Sequence, residues 1–325
     1  MALEKLARLI VGLVLAVCAA TEAFAQAAYP ARPVRIVVPY SAGGPADIYA
    51  RFIGDRLQKA LGQPFVVENR PGAGAIIGTE AVAKSAPDGY TLLMMSNTHT
   101  VNESLFTRKP YSLLRDLVPI APVNYSDLIL VVHPSVPAKN LKELIALAKA
   151  KPGALNYASS GPGTPYHMAG ELFKAMAGID VVHVPHKGSA EARTDVLAGN
   201  VQMMFDAITT MAPLVQAGKV RAIATSGKTR SSITPDVPTL SEAGVPGYDA
   251  VIWLGMMAPA GTPKPIVDVL NADIEKIVNS PDVKAIWAKQ GAVPMRMNPE
   301  EFGKFIEQDI QKWAKVVKIS GARID

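Results

Sequence analysis

The chain has 325 residues, of which 49% are hydrophobic and 19% charged, and its formal net charge is +5. The 33 lysines and arginines are spread along the chain rather than gathered into runs, which disfavours binding to nucleic acid. A mildly basic surface of this kind would attract small anions. The single cysteine, Cys18, excludes an internal disulfide framework.

Residues 1–25 have the pattern of a secretory signal. A basic start precedes a short apolar run, and Ala23-Phe24-Ala25 provides a small-residue cleavage site. The apolar run of about a dozen residues is too short to span a bilayer comfortably. Cleavage would remove Cys18 and leave about 300 residues, enough for one large or two medium cores. We therefore expect a soluble periplasmic protein; Val17, just before Cys18, disfavours the alternative of a lipoprotein anchor.

Short apolar runs typical of strands alternate with helical patterns along the rest of the chain. The predicted strands are 34–40, 65–69, 91–95, 128–134, 155–160, 180–185, 201–206, 220–226 and 250–259. Helices lie between them, the clearest being 48–61, 76–84, 141–150, 265–279, 282–290 and 299–319. Gly62 is predicted to end the first of these helices, and Asn140, with Glu143 three residues on, to cap the third.

Alternation on this scale predicts an α/β fold with mostly parallel sheets. Because the strands are too many for one ordinary open sheet, we predict two lobes. The crossings are predicted at 124–128 and 235–250. Lobe 1 would then comprise 26–126 and 250–325, and lobe 2 would comprise 127–249.

Two loops made of small residues precede predicted helices, at 41–44 (SAGG) and 159–163 (SSGPG). Thr164 is a favourable N-cap for the second helix, and Pro165 a favourable first residue. A helix N-terminus offers unpaired N–H groups and the positive end of a dipole, and small residues let an anion approach them. The two loops therefore predict a site for a small carboxylate that is held mainly by backbone groups.

The segment 184–197 is predicted to be a third loop of this kind, with Ser189 as the helix cap. Since glycine and proline punctuate every α/β protein, the alternative is that each of these loops is only a turn. Their occurrence at strand-to-helix junctions in both predicted lobes favours binding, because ligands of open α/β sheets sit at the carboxyl ends of strands.

Other signals indicate no cofactor or metal. GAGAIIG at 72–78 is one residue too long for a dinucleotide fingerprint, and we interpret it as a turn with close helix packing. His183 and His186 lack a clear third ligand, so no metal site is predicted.

His167 either faces a ligand or packs against its loop. Asp206 either orients a ligand amine, hydroxyl or water, or caps the next turn.

Taken together, these segments resemble Bug-type receptors, the periplasmic solute-binding proteins of tripartite tricarboxylate transporters. The resemblance covers essentially the whole chain after residue 25, in six segments: 29–47, 61–78, 86–94, 155–173, 181–199 and 236–250. It implies a monomeric two-lobed periplasmic binding protein (flytrap) fold that closes on a small organic acid, often a dicarboxylate or aromatic acid, without a cofactor. The membrane permease subunits of such a transporter would be its partners.

The resemblance also implies the ligand-binding residues, which come from loops of both lobes. They are Ser41, Ala42, Gly43, Asp47, Thr98, Asn102, Ser159, Ser160, Gly161, Gly163, Thr164, His167, Pro185 and Asp206. The chain departs from the family pattern at Tyr40, where phenylalanine is usual, at His186, where tyrosine is usual, and at Glu103, which replaces a common proline. These departures leave the ligand unnamed.

Two alternatives to transport remain open at this point. A periplasmic ligand sensor for a signalling system would use the same fold. A hydrolase of carboxylate esters would need a nucleophile–base pair, for which the sequence offers only unsupported serines and histidines. The leading prediction is a binding protein without catalysis.

Overall fold

The computed structural model describes residues 29–321, so the predicted signal at 1–25, with Cys18, lies outside the described residues. The described strands are β1 Val34–Val38, β2 Phe65–Asn69, β3 Thr91–Ser96, β4 Leu117–Val132, β5 Asn156–Ser159, β6 Val182–Pro185, β7 Met203–Ala207, β8 Arg221–Thr225, β9 Val251–Pro259 and β10 Ala292–Pro294. The described helices are α1 Pro45–Leu61, α2 Ile76–Ala83, α3 Asn97–Leu105, α4 Leu113–Asp116, α5 Leu141–Ala150, α6 Pro165–Ala177, α7 Ser189–Leu197, α8 Ile208–Gln216, α9 Leu240–Ala243, α10 Lys264–Asn279, α11 Pro281–Ala288 and α12 Pro299–Ser320. Across this part of the chain, none of the helices is both long and apolar enough to cross a bilayer.

Strand β4 belongs to both lobes. Residues 117–127 pair antiparallel with β9, whereas 128–132 pair antiparallel with β7 and β8. The sheet continues from β9 through β3, β1 and β2 on one side, and from β7 through β5 and β6 on the other. The predicted two-lobed α/β fold is thus observed. We propose the lobe limits at 126/127 and 249/250, supported by the change of β4's partners between Asp127 and Leu128.

The sheets predicted to be mostly parallel are mixed. The outer strands β1–β2, β1–β3, β5–β6 and β5–β7 pair in parallel. Strand β4, however, leaves lobe 1 for lobe 2, and β9 enters lobe 1 as the chain returns. Two strands that pass the same boundary in opposite directions pair antiparallel, and this pair occupies the middle of the structure.

The first crossing, predicted at 124–128, lies inside the continuous strand β4. The segment 117–127 was not predicted as a strand because it contains Pro119 and Pro122, which cannot donate to a ladder. The β4–β9 register shifts next to each of these prolines, so the strand accommodates them at irregularities of the pairing.

The C-terminal helix α12 contacts both lobes. Phe302 and Ile306, in its first half, are buried in the core of lobe 1. Trp313 and Val317, in its second half, belong to the core of lobe 2 together with Phe173 of α6. The prediction that the C-terminal helices return to lobe 1 therefore describes only the first half of α12.

Helix ends follow local sequence signals where those signals are strong. Gly62 ends α1 in the left-handed conformation (φ 74°), and the Asn140 side chain accepts a hydrogen bond from the Glu143 N–H, as predicted. Helix α3 was not predicted, because before Leu105 it carries one apolar residue, Val101, and so shows no helical periodicity.

Candidate functional site

A narrow cavity lies between the lobes, where the β1–α1 loop of lobe 1 faces the β5–α6 and β6–α7 loops of lobe 2. The space that it encloses is about 20 Å³, enough for only one or two water molecules. Its apolar walls are Tyr40, Pro45, Ala46, Pro165, Tyr166, Ile252 and Leu254. Its other lining residues, which include four serines, are Ser41, Gly44, Ser96, Ser160 and Ser189.

The N-terminus of α1 opens onto this cavity. Gly44 is the N-cap and provides no side-chain acceptor, and Pro45 begins the helix. The N–H groups of the first turn are therefore not used by a capping side chain. Both residues line the cavity, so a ligand there meets the positive end of the helix dipole.

Helix α7 of lobe 2 presents a second N-terminus without a capping side chain. Its N-cap is Gly188, so the prediction of Ser189 as the cap is wrong by one residue. Ser189 is the first residue of the helix, and its side chain lines the cavity instead. Two glycine-capped helix N-termini, one from each lobe, therefore meet at the same place.

Helix α6 differs because its N-terminus is already capped. As predicted, Thr164 is the N-cap: its Oγ1 accepts a hydrogen bond from the His167 N–H at 3.4 Å. The same hydroxyl donates to the Gly161 carbonyl at 2.7 Å, and Thr164 is fully buried. The part of this loop that reaches the cavity is Ser160, together with the first helical residues Pro165 and Tyr166.

Tyr166 places a polar atom at the cavity that the sequence did not reveal as functional. Its hydroxyl is buried and makes no hydrogen bond of normal geometry within the described residues, although the Ser189 side chain lies near it. Burial raises the pKa of this phenol well above its ordinary value, so it stays protonated. It is therefore available as a hydrogen-bond donor to a ligand oxygen.

Asp47 and Thr98, both predicted ligand contacts, hydrogen-bond to residues in or next to the cavity lining. The Asp47 carboxylate accepts hydrogen bonds from the Gly43 N–H and from Arg51, each at 3.0 Å. Burial raises the pKa of Asp47, but these hydrogen bonds outweigh it and lower the pKa below its ordinary value. Thr98 accepts from the Ser96 hydroxyl at 3.0 Å and lies behind Ser96.

Asn102 and two glycines lie where loops of the two lobes touch. The Asn102 side-chain amide donates to the Gly74 carbonyl at 2.8 Å. A Cβ on Gly163 would lie 2.5 Å from the Asn102 Oδ1 atom, so the contact requires a glycine at this position. Gly161 and Gly163 are both left-handed, with φ of 115° and 74°.

Ser159 and His167 point into lobe 2. Ser159 Oγ lies 2.6 Å from His183 Nε2, and the His167 and His183 rings are 4.2 Å apart. His167 Nδ1 accepts a hydrogen bond from the Gly163 N–H at 3.1 Å, which is the loop-packing alternative stated above. Burial lowers the pKa of His167 to about 4 and that of His183 to about 3, so both are neutral at pH 7.

Asp206 is fully buried and is held by an arginine that the sequence analysis did not single out. Its Oδ2 atom accepts a hydrogen bond from Arg193 Nη1 at 2.7 Å, and its Oδ1 atom accepts from the Ala207 N–H at 2.8 Å. Burial raises the pKa of Asp206, and the arginine opposes this rise. The second guanidinium nitrogen, Arg193 Nη2, donates to the Gly43 carbonyl of lobe 1 at 3.0 Å.

Of the predicted ligand-binding residues, Ser41 and Ser160 line the cavity. Most of the others make hydrogen bonds or packing contacts that stabilise the loops around it. Ala42 and Pro185 are exposed beside it. The cavity residues Tyr166, Ile252 and Leu254 carried no recognisable signal, because apolar residues at strand and helix positions normally indicate core.

The structure also bears on the motifs set aside above. A Cβ on Gly78 would lie 2.7 Å from the Arg70 carbonyl oxygen, which agrees with close packing as the role of the 72–78 segment. His183 contacts Ser159, whereas His186 pairs with Asp195 at 2.7 Å. Within residues 29–321, no group of three or more His, Cys, Asp or Glu side chains is arranged to hold a metal ion.

Comparison with known proteins identifies the family and the fold. The model of the tripartite tricarboxylate transporter family receptor matches residues 49–322. BugT of Bordetella pertussis is 39% identical over 317 residues, which are 97% of either chain. The structure of R. palustris Rpa4515 with adipate (34% identity, TM-score 0.88) covers 90% of this chain and 98% of that one. MatC from Rhodopseudomonas palustris with bound malate (33% identity, TM-score 0.85) covers 89% and 100%.

The resemblance to Bug-type receptors, which rested on six segments of sequence, is confirmed by these matches along nearly the whole chain. BugD, a periplasmic binding protein of known structure, is 34% identical and superposes with a TM-score of 0.87 over 91% of this chain and 99% of its own. The chain therefore belongs to the receptor family of the tripartite tricarboxylate transporters.

Proposed function

We propose that this protein is a periplasmic solute-binding protein that captures a small organic carboxylate between its lobes and delivers it to the permease subunits of a tripartite tricarboxylate transporter. The observation that carries the proposal is the meeting of two glycine-capped helix N-termini, those of α1 and α7, at one cavity. Support also comes from the relatives that hold adipate and malate, and from BugD, which is a periplasmic binding protein.

The chemistry of the lining suits an anion with a carbon skeleton. None of the described residues that line the cavity carries a charge, so backbone N–H groups, serine hydroxyls and the Tyr166 phenol would meet the carboxylate. The apolar side chains, Ile252 and Leu254 among them, would contact the carbon atoms. Such a site binds by position and hydrogen bonding, without catalysis.

Ligand entry requires the lobes to separate. Arg193 of lobe 2 donates to the Gly43 carbonyl of lobe 1 at 3.0 Å, and Gly163 of lobe 2 packs against Asn102 of lobe 1, so the described arrangement corresponds to lobes closed on each other. The chain passes between the lobes in β4 and in the segment before β9. We expect these two passages to act as the hinge of a flytrap movement.

Thermal-shift measurements on the protein from residue 26 onward test the proposal. Malate, adipate and benzoate serve as carboxylate probes, and adipamide and a neutral sugar as uncharged controls. A ligand at a hundred times its Kd adds about 2.7 kcal/mol of stability, which raises the melting temperature by several degrees. The proposal fails if no member of a wider carboxylate panel raises the melting temperature, whether or not the neutral controls do. A pull-down with the solubilised permease subunits separates transport from sensing.

The contact between Ser159 and His183 is the one observation in favour of the ester hydrolase. Against it, Ser159 is fully buried, and its Oγ atom also accepts from the Gly161 N–H at 3.1 Å. Neither residue lines the cavity. We expect no turnover of nitrophenyl esters; turnover that survives purification and disappears in Ser159→Ala would revive this alternative.

A further inference from the structure

We propose that Arg193 is a positioning residue that latches the two lobes together and thereby sets how long a bound carboxylate is retained. The latch is anchored by Asp206 in lobe 2 and closes on the Gly43 carbonyl in lobe 1. This inference rests on the proposed function, since retention has meaning only for a binding protein. Its geometry is independent of which carboxylate is bound.

One end of the latch is fixed. The Arg193 side chain is 13% exposed, and its Nη1 atom lies 2.7 Å from the Oδ2 atom of Asp206, which is fully buried. The same nitrogen lies 3.4 Å from the Ser189 Oγ atom at the start of α7. A guanidinium presents its donors in a rigid plane, so holding one side orients the other. Asp206 thus fixes the direction of Nη2.

The other end reaches across the boundary between the lobes. Arg193 Nη2 donates to the Gly43 carbonyl at 3.0 Å, although the two residues are 150 positions apart in the chain. Gly43 is left-handed (φ 81°), and its own N–H donates to Asp47 at 3.0 Å. The residue whose carbonyl receives the arginine is therefore held in place from within lobe 1 through its own N–H group.

Arg193 hydrogen-bonds to the loop that leads into the N-terminus of α1. Gly43 directly precedes Gly44, the N-cap that lines the cavity, whereas Arg193 itself is not among the lining residues. Arg193 therefore acts on the ligand through this loop: forming the Gly43 contact brings the α1 N–H groups to the ligand. Another contact between these loops, from Ser41 Oγ to Glu191, is longer, at 3.5 Å.

Removing the latch is expected to shift the equilibrium toward open lobes and to speed ligand release. For Arg193→Gln we expect the dissociation rate of malate or adipate, whichever binds, to rise about ten-fold or more, as for loss of one charge-assisted hydrogen bond. The association rate should stay within about two-fold of the wild-type rate, because the residues that line the cavity are unchanged.

Two further variants distinguish loss of the Arg193–Gly43 contact from a general loss of stability. Arg193→Gln leaves Asp206 buried without its cation, so the double variant Arg193→Gln/Asp206→Asn replaces the ion pair by two neutral amides and should also release ligand fast. Asp206→Asn alone should speed release, and adding it to Arg193→Gln should add nothing if Asp206 acts through the arginine. Arg221→Gln is the matched control, since Arg221 donates to the Val136 and Ala138 carbonyls within lobe 2, each at 3.0 Å.

Lobe separation can be measured without any ligand. Cysteines replacing the exposed residues Asp55 in α1 and Ala198 after α7 would carry spin labels, free of interference because Cys18 lies in the predicted signal. We expect longer label distances in both Arg193 variants and wild-type distances in Arg221→Gln. Unchanged distances in folded Arg193 variants would overturn the latch. Failure of every carboxylate to bind wild type would instead overturn the proposed function, and the distances would still decide on the latch.

Discussion

Gly44 of lobe 1 and Ser189 of lobe 2 approach each other so closely that a Cβ on Gly44 would lie 3.0 Å from the Ser189 Oγ atom. Gly188 stands in the same relation to Ser41, since its Cβ would lie 2.7 Å from the Ser41 Cβ atom. Both glycines are helix N-caps with ordinary extended backbones. Their lack of a side chain therefore serves the contact between lobes and not a special backbone conformation.

Gly44→Val should obstruct closure while leaving the fold intact. Its φ of −90° suits valine, so the cost to the unliganded protein is about 1 kcal/mol from the poorer N-cap. The branched side chain would collide with Ser189 in the closed state, and we expect affinity for the carboxylate to fall at least about ten-fold, measured by calorimetry. Ala42→Val, an exposed change in the same loop, is the control. Equal affinities of the two variants would contradict this account of Gly44.

Gly163→Ala should destabilise the protein by about 2–4 kcal/mol, measured by urea unfolding. The left-handed backbone (φ 74°) costs an alanine about 1 kcal/mol, and the new methyl would lie 2.5 Å from Asn102 Oδ1 and 2.9 Å from Leu105 Cδ2. Gly178→Ala isolates the backbone cost, because Gly178 is also left-handed (φ 62°) and a Cβ there meets nothing within 4 Å. Equal losses in the two variants would show that the contact with Asn102 is unimportant.

Three histidines, His99 and His167 buried and His183 half-buried, should make the protein less stable as the pH falls from 6.5 toward 4. Burial lowers the pKa of His99 and His167 to about 4 and that of His183 to about 3, below the usual value near 6.5. In this window the unfolded chain binds more protons than the native protein, so acidification favours unfolding.

Histidine ring resonances in NMR spectra check the cause directly. The signal that disappears in His167→Gln identifies His167, and we expect it not to titrate between pH 7.5 and 5. A midpoint near 6.5 would show that His167 is exposed to solvent in the native protein, contrary to its burial and its contact with the His183 ring.

Asp127→Asn should stabilise the protein at pH 8 by about 1 kcal/mol. Burial, and to a smaller extent the charge of Asp249, raises the pKa of Asp127 to about 6. Between pH 4 and 6 the native Asp127 is therefore protonated, whereas the same residue in the unfolded chain is ionised. The free energy of unfolding consequently declines as the pH rises through this range. The residual exposure of the group reduces the effect below the full shift.

Urea unfolding of Asp127→Asn and wild type at pH 8 and pH 5 measures this effect. The difference should shrink at pH 5, where the native Asp127 is protonated and neutral. Asp55→Asn, an exposed change in α1, should leave the difference between the two pH values unaltered. A variant less stable than wild type at pH 8 would show that Asp127 makes a favourable ionised contact.

Local signals in the sequence were enough to predict most of the elements. Strand β2 and helix α5 were predicted with their observed bounds, and the observed caps of α1 and α6 at Gly62 and Thr164 were predicted too, because such signals act over a few residues. Where prolines or buried polar residues obscured the periodicity, as in the first part of β4 and in α3, the prediction failed.

For the site, the sequence by itself determined which loops are bare and precede helices, since an N-cap and a glycine are read from adjacent residues. Only the tertiary structure decided which of those loops offer free N–H groups to the cavity, that Asp206 is held by Arg193, and that this arginine reaches Gly43. The physical reason is distance along the chain: partners 150 residues apart are chosen by the packing of two lobes, and no local pattern of residues encodes it.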